Sequence, residues 1–171
     1  MAWLSLLILL GLALPAGADQ PPAEVSTFLA TTFQEAPEAR DIWLTGDLRT
    51  RARDILRHDY PQVRVQYWRS GSRTAWVLDE IGKERPITVG VVIDHDRVEK
   101  VSVLVYRESR GWEVKSPAFT AQFSGARLAD GTQLDRDIDG ISGATLSVRA
   151  LQKLTRLALL LHQQTITEGK P

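Results

Sequence analysis

The chain has no cysteine. Disulfides, thiolate metal sites, iron–sulfur clusters, thiol nucleophiles and C-x-x-C-H haem attachment are therefore all excluded. Net charge is lacking too, because 21 basic residues balance 21 acidic ones, and this disfavours nucleic acid as a partner. Histidine is scarce. His58, His95 and His162 lie far apart without ligand-like spacing and read as surface residues, so no metal is expected. Neither a G-x-G-x-x-G fingerprint nor a P-loop occurs, and no Ser-His-Asp arrangement or carboxylate pair stands out, so no catalytic residues are assigned.

The one long apolar run, Trp3 to Leu14, lacks a Lys or Arg before it and is followed by Pro15 and Ala16-Gly17-Ala18. It is too short for a comfortable membrane span, which takes ~20 apolar residues, and reads as a signal peptide over residues 1–18. Cleavage before Asp19 is expected, with retention as an uncleaved anchor as the alternative. The remainder suits one domain with a proper core.

After Gln20-Pro21-Pro22, the segment Ala23 to about Ala36 carries Val25, Phe28, Leu29 and Phe33 at helical spacing, ended by Pro37. A link through Ile42, Trp43 and Leu44 leads to a second helix with Asp47 as its expected cap and Leu48, Ala52, Ile55 and Leu56 as its apolar face. Its other face, with Arg49, Arg51, Arg53 and Arg57, reads as solvated. Beyond Pro61 the period changes to two. Val63, Val65 and Tyr67, the turn Ser70-Gly71-Ser72, and Arg73 to Leu78 make one hairpin, and Ile87–Ile93, a turn over Asp94–Arg97, and Val98–Tyr106 make another. The fold class is therefore α+β, with a mostly antiparallel sheet, flanking helices and a long C-terminal helix.

That last helix, from Leu146 to about His162, is preceded by Asp139-Gly140-Ile141-Ser142-Gly143-Ala144-Thr145. Small residues at Ser142, Gly143 and Ala144 allow a tight bend and close approach of backbone to a ligand, and a helix start offers unpaired N–H groups to an anion. Thr145 puts a hydroxyl within ester-forming reach of a phosphate held there. A plain helix cap is the competing reading, since Ser, Thr and Asp are favoured at helix starts. The helix is apolar nearly all round, which predicts burial, with a docking face for a membrane-bound partner or a second copy as the alternative.

The string D-G-I-S-G-A-T resembles the flavinylation motif of the FMN-binding domain family, D-x-x-[ST]-G-A-[ST], found in subunits of sodium-pumping NADH:quinone reductases and Rnf complexes. E-S-R-G-W-E at Glu108–Glu113 is similar to that family's E-T-P-G-x-G segment, and Gln122-Phe123-Ser124-Gly125 to its Q-F-x-G. The likeness covers roughly Ile87 to His162. Arg110 stands in place of a proline, Glu113 in place of a glycine, and Ser147 where many relatives have a second Thr.

The helical spacing gives an N-terminal helical leader over residues 19–45, and the resemblance implies an FMN-binding domain over residues 46–168. It implies FMN held covalently through a phosphoester on Thr145, attached by a separate flavin transferase, with Ser142 and Ser147 as lesser hydroxyls. Asp139, Ser142, Gly143, Ala144, Glu108, Ser109, Gly111 and Trp112 are the expected cofactor contacts. Trp112 and Phe119 are candidates for an apolar slot, though core packing accounts for them equally. Arg110 near the ring would favour the reduced flavin. The implied protein is a periplasmic electron carrier served by a membrane-bound redox partner, rather than an enzyme with its own substrate. A reversible FMN or phosphate-ligand module and a small flavin reductase are the alternatives.

Overall fold

The computed structural model describes residues 21–168, so the apolar run Trp3–Leu14 and the expected cleavage position lie outside the described residues. Five strands follow one another in a single antiparallel sheet ordered β1-β2-β3-β4-β5, each paired with its neighbours in sequence. They are β1 (Glu38–Trp43), β2 (Arg64–Ser70), β3 (Arg73–Ile81), β4 (Pro86–Asp94) and β5 (Arg97–Val105). Both expected hairpins form. Gly71 at φ +60° and His95 at φ +57° supply the left-handed residues that two-residue hairpin turns require.

Two readings of the sheet change. Residues 38–43, taken as leader and link, form the edge strand β1, with Ile42 opposite Val65 and Trp43 opposite Arg64. Only Ile42 of this strand is buried, so no alternating pattern marked it, and Glu, Ala and Asp are poor strand formers. Val63 precedes β2 and is exposed rather than part of its inward face.

Strand β4 is buried along both faces, which explains its unbroken run I-T-V-G-V-V-I. On one face lie α2 (Gly46–Leu56) and α4 (Thr145–Glu168), burying Leu48, Ile55, Leu151, Leu154, Leu157 and Leu160 against Trp76, Leu78, Val89 and Val91. On the other lies α1 (Ala23–Thr32), whose Val25, Phe28 and Leu29 pack with Ala75 and Val92. Helix α1 ends earlier than Pro37 would require. The Thr31 and Thr32 hydroxyls both donate to the Phe28 carbonyl, and Phe33 is already extended. For α2 the N-cap position is Thr45, with Asp47 inside the first turn. Its Arg49 and Arg53 pair with Asp59 at 3.3 and 2.7 Å, in keeping with a solvated face.

From Ala150 to Thr165 helix α4 is buried apart from the half-covered Gln152, Lys153, Arg156, Gln163 and Gln164, and Ile166 and Thr167 beyond them are exposed. Leu157, Leu159 and Leu160 are at most 1% exposed, so this apolar excess packs within the fold. Lys153 interrupts the stripe to meet the buried carboxylate of Glu80, with Nζ 2.9 Å from Oε1. His58 Nε2 reaches the same carboxylate at 2.9 Å, so β3, α4 and the end of α2 are tied at one point.

His162 is a correction to the sequence reading: it is 1% exposed, not a surface residue. Its Nδ1 lies 2.8 Å from Thr74 Oγ1, and that hydroxyl accepts the Trp76 indole N–H at 2.9 Å. Because the His95 carbonyl can only accept, Nε2 of the neutral ring carries the proton and donates to it, which leaves Nδ1 to accept from the Thr74 hydroxyl. No group of three potential metal ligands occurs among the described residues, and no described helix is long and apolar enough to cross a membrane.

Candidate FMN site

Three segments meet at one end of the sheet, and each arrives there for a local reason. The first is the loop after β3, Gly82–Arg85, closed by Gly82 N–H donating to the Arg85 carbonyl at 3.0 Å. The second runs out of β5 through Glu108, Ser109, Arg110 and Gly111. The third is the turn Ile141–Ala144 leading into α4, in which Ala144 N–H donates to the Ile141 carbonyl at 3.0 Å. Gly143 takes φ +80° within this turn, a conformation that favours glycine, and no atom lies near a Cβ built there. Between the three segments lies a cleft of about 570 Å³, lined by Lys83, Glu84, Glu108, Ser109, Arg110 and Gly143 to Ser147. A shallower depression of about 300 Å³ shares Ser109, Arg110 and Gly143 with it and adds Gly111, Trp112, Glu113 and Ser142.

The second and third segments are locked together at Gly111. This residue adopts φ +83°, and a Cβ on it would lie 2.9 Å from the Tyr106 hydroxyl and 3.0 Å from the Ala144 methyl carbon. Tyr106 fastens the same junction from below, its hydroxyl donating to the Arg110 carbonyl at 2.5 Å and standing 3.0 Å from Ser147 Oγ. Partial burial raises the Tyr106 pKa, so the phenol stays protonated and able to donate. The Ala144 carbonyl accepts the Val148 N–H at 3.0 Å, so the amides just after Ala144 are helix-start donors without intrahelical acceptors. Thr145 is exposed at that start, beside the cleft.

Glu108 lines the cleft and also holds one of its walls. Its Oε1 accepts the backbone N–H groups of Lys83, Glu84 and Arg85 at 2.5, 2.7 and 3.0 Å. Those amides, led by Arg85, hold its carboxyl below the usual carboxylate range. Asp139 lines neither depression. Its N–H donates to Gln122 Oε1 at 2.8 Å, tethering the start of D-G-I-S-G-A-T to the Q-F-S-G segment.

Of the expected contacts, Thr145, Ala144, Gly143, Glu108 and Ser109 line the main cleft, while Ser142, Gly111 and Trp112 line its shallow neighbour. Trp112 is 66% exposed, whereas Phe119 is a core residue set edge-on to Phe123 at 5.9 Å. The two aromatics therefore do not form one slot. Leu146, 44% exposed on the cleft wall, is the apolar surface next to Thr145. Lys83, Glu84 and Tyr106 belong to the site and carry no motif. The signals that could have found them are a glycine between the end of β3 and a charged run, at Gly82, and an aromatic residue directly after β5, at Tyr106.

A phosphorylated, flat cofactor suits this arrangement. The cleft lies within the ~300–1,000 Å³ usual for small-ligand sites, helix-start amides favour a phosphate, and Arg110 and Lys83 supply cations. No curated protein matches the chain. The family model of the FMN-binding domain matches residues 82–160, from the first residue of the β3–β4 loop into α4. That span takes in all three segments of the cleft. Over it the chain is similar to the FMN-binding domain family, and this match supports a flavin-binding role.

Proposed function

We propose that the protein is an exported electron-transfer flavoprotein that carries FMN through a phosphoester on Thr145. The observation that supports this best is the meeting of an exposed hydroxyl, a helix start and a cleft of cofactor size at one point, in a segment that matches the FMN-binding domain model. Thr145 Oγ1 would gain a bond to the FMN phosphorus and give up its proton, while the pyrophosphate link of the donor FAD breaks and releases AMP. A separate flavin transferase catalyses this exchange. Ser147 is a poor competitor, being 4% exposed and engaged with Tyr106.

When bound, the flavin supplies one- and two-electron redox chemistry. The chain's own part is to hold the phosphate at the α4 start, to bring Arg110 and Lys83 beside the cofactor, and to leave the cleft open for contact with a redox partner. That partner is a membrane-bound oxidoreductase on the donor side, and the location is the periplasm, reached through the apolar run at residues 3–14. Outside the cytoplasm a tether prevents the loss of a cofactor that is scarce there.

Intact mass of the mature protein, purified with and without a co-expressed flavin transferase, tests the reading. A gain of one FMN less one water, mapped to Thr145 and absent in Thr145→Ala, is expected. No gain with an active transferase would leave a reversible FMN-binding module instead.

A further inference from the structure

The loop between β3 and β4 forms a wall of the cleft, and a single carboxylate oxygen holds it. Three consecutive amides, from Lys83, Glu84 and Arg85, converge on Glu108 Oε1, making a small anion-binding nest that is filled from within the protein. The packing behind it is tight. A Cβ on Gly82 would stand 2.8 Å from the same oxygen and 2.8 Å from Ile87 Cδ1. Only a residue without a side chain lets the loop approach this closely, so the sequence around Gly82 and the carboxylate of Glu108 are fitted to each other. The result is that Lys83 and Glu84 line the same cleft as Thr145.

We infer that Glu108 is a positioning residue, which fixes the Gly82–Arg85 loop as a wall of the FMN cleft and so presents Lys83 as the group that meets the electron-rich edge of the flavin. This rests on the FMN reading above. It reverses the direct role that the sequence suggested for Glu108, since the oxygen facing the loop amides is already saturated with donors. Lys83 carries the compact cation that suits the pyrimidine carbonyls of an isoalloxazine, and its distance from the ring is decided by where the loop is held. The wall needs an acceptor at position 108, and the cofactor needs the cation at position 83. The two requirements are separable by substitution.

The experiment compares flavinylated wild type with Glu108→Gln, Glu108→Ala and Lys83→Gln, reading intact mass, amide hydrogen exchange of residues 83–85 and visible circular dichroism of the bound FMN. Glu108→Ala should keep the mass of the FMN adduct, because Thr145 is not part of the loop. It should speed exchange of the three loop amides about tenfold or more with the sheet amides unchanged, and its flavin dichroism should fall towards that of free FMN. Glu108→Gln retains an acceptor oxygen and should restore much of both signals. Lys83→Gln should keep loop protection yet change the dichroism.

Unchanged loop exchange in Glu108→Ala overturns the inference. So does a Glu108→Gln protein with protected loop amides but flavin dichroism like that of the Ala variant, which would mean that the carboxylate touches the flavin directly. Lys83→Gln dichroism identical to wild type removes the role of Lys83. A wild-type protein without the FMN adduct would instead strike at the functional reading itself, and is recognised by mass before any variant is compared.

Discussion

Gly111 and Ala144 approach so closely that a single methyl group on Gly111 would stand 3.0 Å from the Ala144 side chain, while its backbone holds φ at +83°. Both conditions exclude a side chain. Gly111→Ala should therefore lower stability by about 1–3 kcal/mol through backbone strain and displacement of Tyr106, and should separate the 108–111 segment from the α4 start. Thermal unfolding and the flavin content of the purified variant check this, with loss of flavin expected to exceed what the melting shift alone would produce.

Ser147 and Thr145 are two residues apart yet differ in availability. Ser147→Ala should leave FMN on Thr145 and cost about 1 kcal/mol, the worth of one hydrogen bond to Tyr106. Peptide mapping would find the flavin on Thr145 in this variant. A flavin lost with Ser147 and kept without Thr145 would exchange the roles of the two hydroxyls.

Much of this was legible in the sequence. The hairpins declared themselves through β-branched alternation between short polar turns, and α4 through its apolar stripe and the small residues before it. Residues 38–43 did not, because an edge strand with one buried side chain has no periodicity to read. His162 looked like a surface residue for the same reason that any lone polar group in a helix does, since its Thr74 partner is 88 positions away in the chain. At the site, the motif residues located the cleft but not its third wall. What Glu108 binds is the backbone of Lys83, Glu84 and Arg85, and backbone amides have no sequence signature.

His58 and His162 should give stability contributions of opposite sign with pH. The Glu80 carboxylate raises the His58 pKa, so its contribution is complete below its unfolded value near ~6.5 and is lost as pH rises through the higher folded value. The effect is small, because the His58 side chain is 45% exposed and screened by solvent. Burial lowers the His162 pKa, so its contribution is present above ~6.5 and is lost as pH falls through the lower folded value. Protonation there also leaves the Thr74 hydroxyl proton without its acceptor. Melting temperatures across about pH 5 to 8 should lose their acid slope in His162→Gln and their smaller alkaline slope in His58→Gln.

Phe28 lies on Gly90 so closely that a Cβ there would stand 2.7 Å from the tip of its ring. Gly90→Ala should therefore lift α1 from the sheet at a cost of about 1–3 kcal/mol, while Phe28→Ala makes room for it. In a double-mutant cycle the pair should be strongly non-additive, and hydrogen exchange should show the loosening confined to residues 23–32.

The strand order has a consequence for how the protein comes to hold its cofactor. Every strand pairs only with its neighbours in the chain, so the sheet can form by closing short loops, one hairpin after another, with little entropy lost in bringing distant segments together. The cleft cannot. Its wall at residues 143–147 arrives only with the last helix, after the loop at 82–85 and the segment at 108–111 are in place. A nascent or truncated chain can pair its strands and still offer no seat for a flavin. Loading would then be the last event of maturation, and FMN attached as proposed would record that the whole domain has folded.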